Sequence, residues 1–406
     1  MKVLLAHNYF YIRGGAEVFF REVGRVLEER GHQVAYFSGQ DAQNLLSRYE
    51  SYFPSAPDYQ QGNLVRRIAA FGGMVYSRNS KKNMLRLLKD FRPDIVHVFA
   101  VHIRLSPSIL DACREYGVPV VMSCNDSKHM CPNYRLFHHG RLCEECKGGR
   151  FYRASVNRCC KDSLVFSVAS SLEAYVHGAM DIYRKNIRLF LFASEFMARK
   201  TEEFWGADTF SWRMLRNPFD SRSHTCKAQT GDFLIYFGRL TEEKGLNVLI
   251  EAMQHLRHAR LKIIGDGPMR TELEARVKTL SLDNVEFLGP KWGEDLDDIL
   301  CRARFVVVPS IGHENFPYVI LQSFAAGKAV IGADRGGIPE LVRDGEFGLV
   351  YPAQDPAALA RCISTLWDDP GKSETMGKAA KAWADKEYTD ESFYENIMGI
   401  YREVAG

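Results

Sequence analysis

The sequence predicts an α/β protein made of two Rossmann-like, doubly wound domains, and three observations carry that expectation. Short β-branched runs alternate with amphipathic, helix-length segments in both halves, the pattern of parallel sheets covered by helices. The alternation breaks once, near the middle of the chain. At 406 residues the chain also has room for roughly two to three domains.

Taken in order, the first half offers the strands "KVLLAH", "QVAYFS", "IVHVF", "PVVMSC" and "RLFLFAS", with helices between them. The stretch "EEFWGADTFSWRMLRNPFDSRSHTCKAQTGD", holding Pro218, Gly231 and many small polar residues, reads as the interdomain linker. The second half offers "FLIYFG", "LKIIG", "VEFLG", "FVVVPS", "AVIGA" and "GLVY", with helices starting near Glu243, Met269, Glu294, Phe316 and Ile338. Beyond Pro370 the chain turns helical and stays so. This places one domain at 1–215, with a cysteine-rich insertion at about 124–162, and a second at 216–385.

Composition sets the surroundings. A hydrophobic fraction of 46% with 25% charged residues is that of a soluble globular chain, and 53 basic against 50 acidic residues leave a net charge of +3, too balanced for nucleic-acid binding. "MKVLLAHNYFY" has an apolar core too short for a signal peptide, and no apolar run is long enough to cross a bilayer. The expectation is a cytoplasmic protein, or one peripheral at the inner face of a membrane. Its ten cysteines are then expected as reduced thiols or metal ligands rather than disulfides.

Ligands of doubly wound sheets bind where strands run into helix N-termini, because free N–H groups there favour anions. Three loops fit. "HNYFYIRGGAEVF" brings Gly14 and Gly15 to a helix start, "FGRLTEEKGLNVLIEAM" brings Arg239 and Lys244, and "GADRGGIPELV" brings Gly336 and Gly337. Glycine pairs also serve plain packing, and neither pair forms G-x-G-x-x-G; the joint occurrence of two cations at the same edge of one sheet is the stronger signal.

Together, "FGRLTEEKGLNVLIEAM", "IIGDGP", "VEFLG", "PSIGHENFPYVILQSFAAGKAVIGADRGGIPELV" and "GEFGLVY" resemble the donor-binding half of family-four glycosyltransferases, and "GGAEVFFREVGRVLEERGHQVAYFS" with "RPDIVHVF" is similar to their acceptor-binding half. The resemblance runs over most of the chain in the family's order. It implies the GT-B architecture, two Rossmann-like domains facing a cleft, with a C-terminal helix at 386–406 crossing back to the first domain. It also implies a retaining transferase that takes a sugar from a nucleotide-diphosphate donor to a hydroxyl acceptor, here a saccharide or lipid-linked surface-polysaccharide precursor. Arg239 and Lys244 match the basic pair that holds the diphosphate, and the family recruits no catalytic metal for it. Glu314 matches the first acid of the family's Glu-x7-Glu pattern, which contacts sugar hydroxyls and supports positive charge on the ring. Asn315 and Phe316 follow it in the donor loop.

Two departures stand out. Gln322 occupies the place of the second glutamate, where an amide keeps one acceptor and adds two donors. Asn125 and Asp126 stand where relatives carry histidine and aspartate beside the sugar, so no general base is assured; His97 is a further candidate on the acceptor side. Same-face attack, in which the departing phosphate oxygen takes the acceptor proton, needs none. A nucleotide-sugar epimerase or hydrolase on the same scaffold, and a non-catalytic sugar-nucleotide sensor, remain as rival readings. "DLD" at Asp295 to Asp297 reads as a solvated helix face rather than a metal motif.

Cys143-x2-Cys146, with Cys131 twelve residues before the pair and Cys159 thirteen after it, suits a structural tetrahedral zinc. Some bacterial family-four relatives carry a similar insertion, whose last cysteine matches Cys159 rather than Cys160. Metal-free thiols, or a site completed by Cys124, Cys160, His138 or His139, are the alternatives. Finally, residues 64–92 cluster Arg66, Arg67, Arg78, Lys81, Lys82, Arg86, Lys89 and Arg92 against Asp90 alone, with apolar residues interleaved. This reads either as a surface for anionic lipid or as a solvated helix face.

Overall fold

The computed structural model describes residues 1–55, 71–102, 104–223, 226 and 231–406. Arg66 and Arg67 of the basic cluster lie outside them. The chain forms two compact units: Met1–Leu136, Glu144–Pro218 and Phe393–Gly406 make the first, and Phe137–Cys143 with Phe219–Ser392 make the second.

The first unit is a six-stranded sheet of β1 (Lys2–Ala6), β2 (Gln33–Phe37), β3 (Ile95–Val98), β4 (Val120–Ser123), β7 (Leu189–Phe192) and β8 (Trp212–Met214) in the order β2-β1-β3-β4-β7-β8. Every pairing is parallel. Its helices are α1 (Gly15–Glu29), α2 (Arg78–Phe91), α3 (Ser108–Tyr116), α4 (Tyr152–Val156), α5 (Leu164–Ala179) and α6 (Glu195–Trp205). The sheet interior is apolar on both faces, as a helix-covered parallel sheet requires. Helix starts carry their own caps: Ser77 Oγ accepts from Ser80 N–H at 3.0 Å, and Ser194 Oγ from Met197 N–H at 3.3 Å. β8 lies inside the stretch expected as linker. Edge strands need only partial burial, and the polar pattern around Trp212 hides this one.

The second unit repeats the plan with β9 (Leu234–Phe237), β10 (Leu261–Ile264), β11 (Val285–Gly289), β12 (Phe305–Val308), β13 (Ala329–Ala333) and β14 (Gly348–Tyr351), ordered β11-β10-β9-β12-β13-β14, again all parallel. A small hairpin, β5 (Phe137–His138) with β6 (Arg141–Leu142), is grouped with it. Helices α7 (Leu246–Met253), α8 (Arg270–Thr279), α9 (Gly293–Arg302), α10 (Tyr318–Ala325), α11 (Ile338–Val342), α12 (Pro356–Asp368) and α13 (Pro370–Glu387) cover the sheet. α7 starts three residues after the sequence suggested, because Glu242–Lys244 forms a single 3-10 turn first.

The last helix, α14 (Asp390–Ala405), buries Phe393, Ile397, Met398, Ile400, Tyr401 and Val404 with β1 and β4 residues of the first unit. Two expectations are corrected. Cys226 and Cys301 form a disulfide with Cα atoms 5.3 Å apart, a proximity that a sequence separation of 75 conceals. In α2 the interleaved apolar residues Met84, Leu87, Leu88 and Phe91 are core residues, while Arg78, Lys82, Arg86 and Lys89 are exposed. Among the described residues no helix is long and apolar enough to cross a membrane.

Candidate active site

A parallel sheet opens a crevice where its strand order reverses, because the loops on either side run to opposite faces. In the second unit the reversal lies between β9 and β12. The loop leaving β9 carries Arg239 and Lys244, and the loop leaving β12 carries Glu314.

The backbone locks these loops together. Ile311 and Gly312 both donate their N–H groups to Glu243 O at 2.9 Å. The third loop, after β13, closes on the second: Gly337 N–H donates to Glu314 O at 2.7 Å, and Arg335 Nε donates to Ile311 O at 3.3 Å. Gly336 has φ +59°, and a Cβ there would stand 2.0 Å from Glu314 O. Only glycine permits that approach, so the glycine pair fixes the position of the acid.

On this frame Glu314 Oε1 accepts from Lys244 Nζ at 2.6 Å and from Ser310 Oγ at 2.7 Å. Both bonds converge on one oxygen, and among the described residues Oε2 takes no part in them. Tyr236 Oη donates to Arg239 O at 2.7 Å and holds the β9 loop; burial, aided by the charges of Glu314 and Glu243, pushes its phenol well above the usual range, so it stays a neutral donor. The Arg239 side chain is exposed on the same loop and makes no ion pair with Glu314 within 4.0 Å among the described residues. Gln322 is half-buried on α10, whose other side packs Ile320, Leu321 and Phe324 into the core. Asn315 is half-buried, whereas Phe316 is buried with its ring 6.0 Å from Tyr388 and therefore packs. Asp295 to Asp297 lie on α9 as a solvated stretch.

The first unit has the same crevice between β1 and β3. Asn8 joins its two loops: its N–H donates to Ala100 O at 2.8 Å, and its Oδ1 accepts from Arg104 N–H at 2.9 Å. His7 Nε2 lies 3.9 Å from Glu17 Oε1; burial lowers the imidazole to about 4 and raises the carboxyl. Gly14 caps α1 in an extended conformation, and both it and Gly15 are exposed. After β4, Asn125 Nδ2 is buried with no hydrogen-bond partner among the described residues, while Asp126 Oδ1 accepts from Lys128 N–H at 2.9 Å and burial raises its carboxyl.

His97 is corrected. It is fully buried, with Nδ1 2.7 Å from Tyr401 Oη and Nε2 2.8 Å from Ser123 Oγ. Both ring nitrogens are used, and burial lowers it to about 3, so it secures α14 against the sheet rather than meeting a sugar. Of the four candidate zinc ligands, Cys131 and Cys146 are buried and Cys143 and Cys159 half-buried; Cys131 Sγ lies 3.1 Å from Asn133 Oδ1. Sequence reasoning missed Ser310, Tyr236 and Asn8. Ser310, a hydroxyl four residues before the acid at a strand end, is the one that left a visible signal.

Comparison with known proteins places this geometry in a lineage. Residues 13–220, just over half the chain, match the family model described as Glycosyltransferase Family 4, and residues 220–383 match Glycosyl transferases group 1. The D-rhamnosyltransferase WbpZ of Pseudomonas aeruginosa is 35% identical over 152 residues, 37% of this chain and 40% of that protein. The alpha-D-kanosaminyltransferase of Streptomyces kanamyceticus is 31% identical over 177 residues, 42% of this chain and 46% of that one. The matches thus span less than half the length of these curated relatives. Among solved structures, Anabaena Alr3699/HepE in complex with UDP and glucose superposes with a TM-score of 0.68 at 17% identity, covering 99% of this chain and all of that one. Sucrose-phosphate synthase of Thermosynechococcus elongatus gives 0.74 at 17% identity, covering 99% and 98%. These likenesses establish the GT-B fold.

Proposed function

The chain belongs to Glycosyltransferase Family 4, and from that premise we propose that it moves a sugar, with retention of configuration, from a nucleotide-diphosphate donor to a hydroxyl acceptor. The observation that carries this reading is the Lys244–Glu314 pair, 2.6 Å apart at the β9/β12 crevice, with the cation of Arg239 on the same loop. A rhamnosyltransferase and a kanosaminyltransferase among the relatives, and a structural neighbour solved with UDP-glucose, support it.

The residues divide the work. Arg239 offers a bidentate fork and Lys244 a point charge to a diphosphate whose oxygens gain charge as the glycosidic bond breaks. Lys244 is compensated by Glu314 before the donor arrives, so the diphosphate draws on a cation already held in place by the acid. Glu314, fixed by Ser310 and by the Gly336–Gly337 loop, turns its second oxygen to sugar hydroxyls and supports positive charge on the ring. Gln322 meets the ribose through its amide. On the acceptor side the buried, unpartnered Asn125 Nδ2 suits a hydroxyl or phosphate oxygen, and the departing phosphate oxygen takes the acceptor proton.

The acceptor class is a saccharide or a lipid-linked polysaccharide precursor, met at the cytoplasmic face of a membrane. No catalytic metal enters. The spacing of Cys131, Cys143, Cys146 and Cys159 is what supports their holding a structural zinc. Stoichiometric zinc in purified protein, with a melting temperature lowered by chelator, supports it, and a zinc-free protein indifferent to chelator removes it.

The transfer reading is tested by following nucleoside diphosphate release. A transferase releases it when acceptor is added, a hydrolase without acceptor, and a sensor not at all. Glu314→Ala abolishes acceptor-dependent release if this assignment is right.

A further inference from the structure

Helix α5 is built inside out. Successive turns of its outer side expose Val165, Val168, Leu172 and Val176, with Val165 71% and Leu172 51% accessible. Its inner side buries polar groups instead: Ser167, Ser171, Glu173 and His177. Each is tied down. Ser171 Oγ donates to Phe151 O at 2.8 Å, Glu173 Oε2 accepts from Lys128 Nζ at 2.7 Å, and His177 Nε2 donates to Val75 O at 2.8 Å. A cavity of about 240 Å³ lined by Lys128, Glu173 and His177 lies beneath. Turning the helix over would break a buried ion pair, so the apolar side is held outward by strong bonds. A helix facing water shows the reverse arrangement.

The preceding helix continues the patch. α4 exposes Tyr152 and, at 67%, Val156. Around both helices stand Arg150, Arg153, Arg158 and Lys161, none in an ion pair among the described residues. Arg153 and Lys161 instead lie over aromatic rings of the patch, 5.4 Å from Tyr152 and 4.7 Å from Phe166. An apolar stripe, interfacial tyrosines and flanking cations together match the lipid headgroup boundary. A second copy of the chain fits less well, because a two-fold contact would press the same cations together.

We propose that the α4–α5 face docks on an anionic bilayer leaflet, seating Val165, Leu172 and Val176 at the acyl boundary and Arg150, Arg153, Arg158 and Lys161 on anionic headgroups. This is a different surface from the basic face of α2, and it is independent of the reaction assigned above.

Flotation of the full-length protein with phosphatidylcholine vesicles, with and without phosphatidylglycerol, tests it. The wild type should float with the anionic vesicles, and salt should weaken the association. Val165→Asp with Leu172→Asp should lower partitioning at least about tenfold, given the cost of carboxylates at an apolar boundary. Replacing the four cations by Gln should lower it about a hundredfold or more, since each base near an anionic surface contributes several-fold. Both variants should keep the wild-type melting temperature, because Val165, Leu172, Arg150, Arg158 and Lys161 are exposed and half-buried Arg153 makes no ion pair among the described residues. Four outcomes overturn the proposal: no association of the wild type, equal association with neutral vesicles, variants that bind as the wild type does, or a V165D/L172D chain that melts much earlier or turns from dimer to monomer without lipid. The last would show that protein already covers this face.

Discussion

Each sheet of this chain reverses its strand order once, between β1 and β3 in the first unit and between β9 and β12 in the second, and the two crevices carry different side chains. In the second unit the crevice holds a charged pair, Lys244 and Glu314, on loops locked by backbone bonds and glycine contacts. In the first unit the corresponding position holds His7 and Glu17, where burial lowers the imidazole to about 4 and raises the carboxyl. The same topological feature therefore occurs twice, with a charged pair on the strand-end loops of one crevice and a buried histidine beside a carboxyl in the other.

The largest expected effect is on the charged side. Glu314→Ala should lower acceptor-dependent nucleoside diphosphate release by about a thousandfold, at the upper end for loss of a charge-stabilising group. An equal loss from Glu17→Ala would break the contrast between the crevices.

Glycine gives the next test. Gly336→Ala would force a Cβ to within 2.0 Å of Glu314 O at φ +59°, and should cost about 1–3 kcal/mol of stability together with most of the activity. Gly14→Ala, at φ −176° with its nearest neighbour 3.8 Å away, should be nearly neutral in thermal melting. Similar melting losses for both would mean that the second crevice is no more tightly built than the first.

Acid should separate the units. The buried histidines among the described residues, His7, His97, His102, His129 and His177, all belong to the first unit. Burial holds His7 at about 4 and His97 and His129 at about 3, below the ordinary 6.5. The unfolded chain therefore takes up protons first. Stability from these groups is complete above pH 6.5 and is lost as the pH falls from 6.5 to about 4 for His7 and to about 3 for His97 and His129, by roughly 1.4 kcal/mol per pH unit for each histidine within its window. Glu17 and Asp126, whose carboxyls burial raises, act in the opposite sense over the carboxylate range. Fluorescence of Trp205 and Trp212 in the first unit should change at higher pH than that of Trp292, Trp367 and Trp383 in the second.

The smallest effect is expected at Ser310. Ser310→Ala removes one of two bonds to Glu314 Oε1, leaves Lys244 in place, and should slow transfer by up to about tenfold, the usual worth of one hydrogen bond.

Much of this was legible in the sequence, for identifiable reasons. The quoted strand runs correspond to formed strands, because parallel strands buried on both faces are continuous apolar runs. The cations and the acid stand at the strand ends where the loops predicted them. What stayed hidden depends on distance along the chain. Lys244 and Glu314 are separated by 70 positions and Tyr401 from His97 by 304, so the meeting of one pair and the internal use of His97 emerge only from the folded sheet. β8 was masked by polar neighbours, and the apolar residues of α2 looked interfacial until the fold turned them inward. α5 was not singled out from the sequence; the side it turns outward becomes visible only with the bond from Lys128 to Glu173.

Calorimetric titration with the nucleoside diphosphate alone tests the central claim most directly, using the wild type, Lys244→Ala and Glu314→Ala. If Lys244 grips the diphosphate while Glu314 serves the sugar, Lys244→Ala should bind at least about tenfold more weakly, as expected for loss of one charge-assisted bond. Glu314→Ala, relieved of its competing carboxylate, should bind as tightly as the wild type or more so while transferring nothing. Unchanged affinity in Lys244→Ala, or loss of nucleotide binding in Glu314→Ala without loss of fold, would contradict the account.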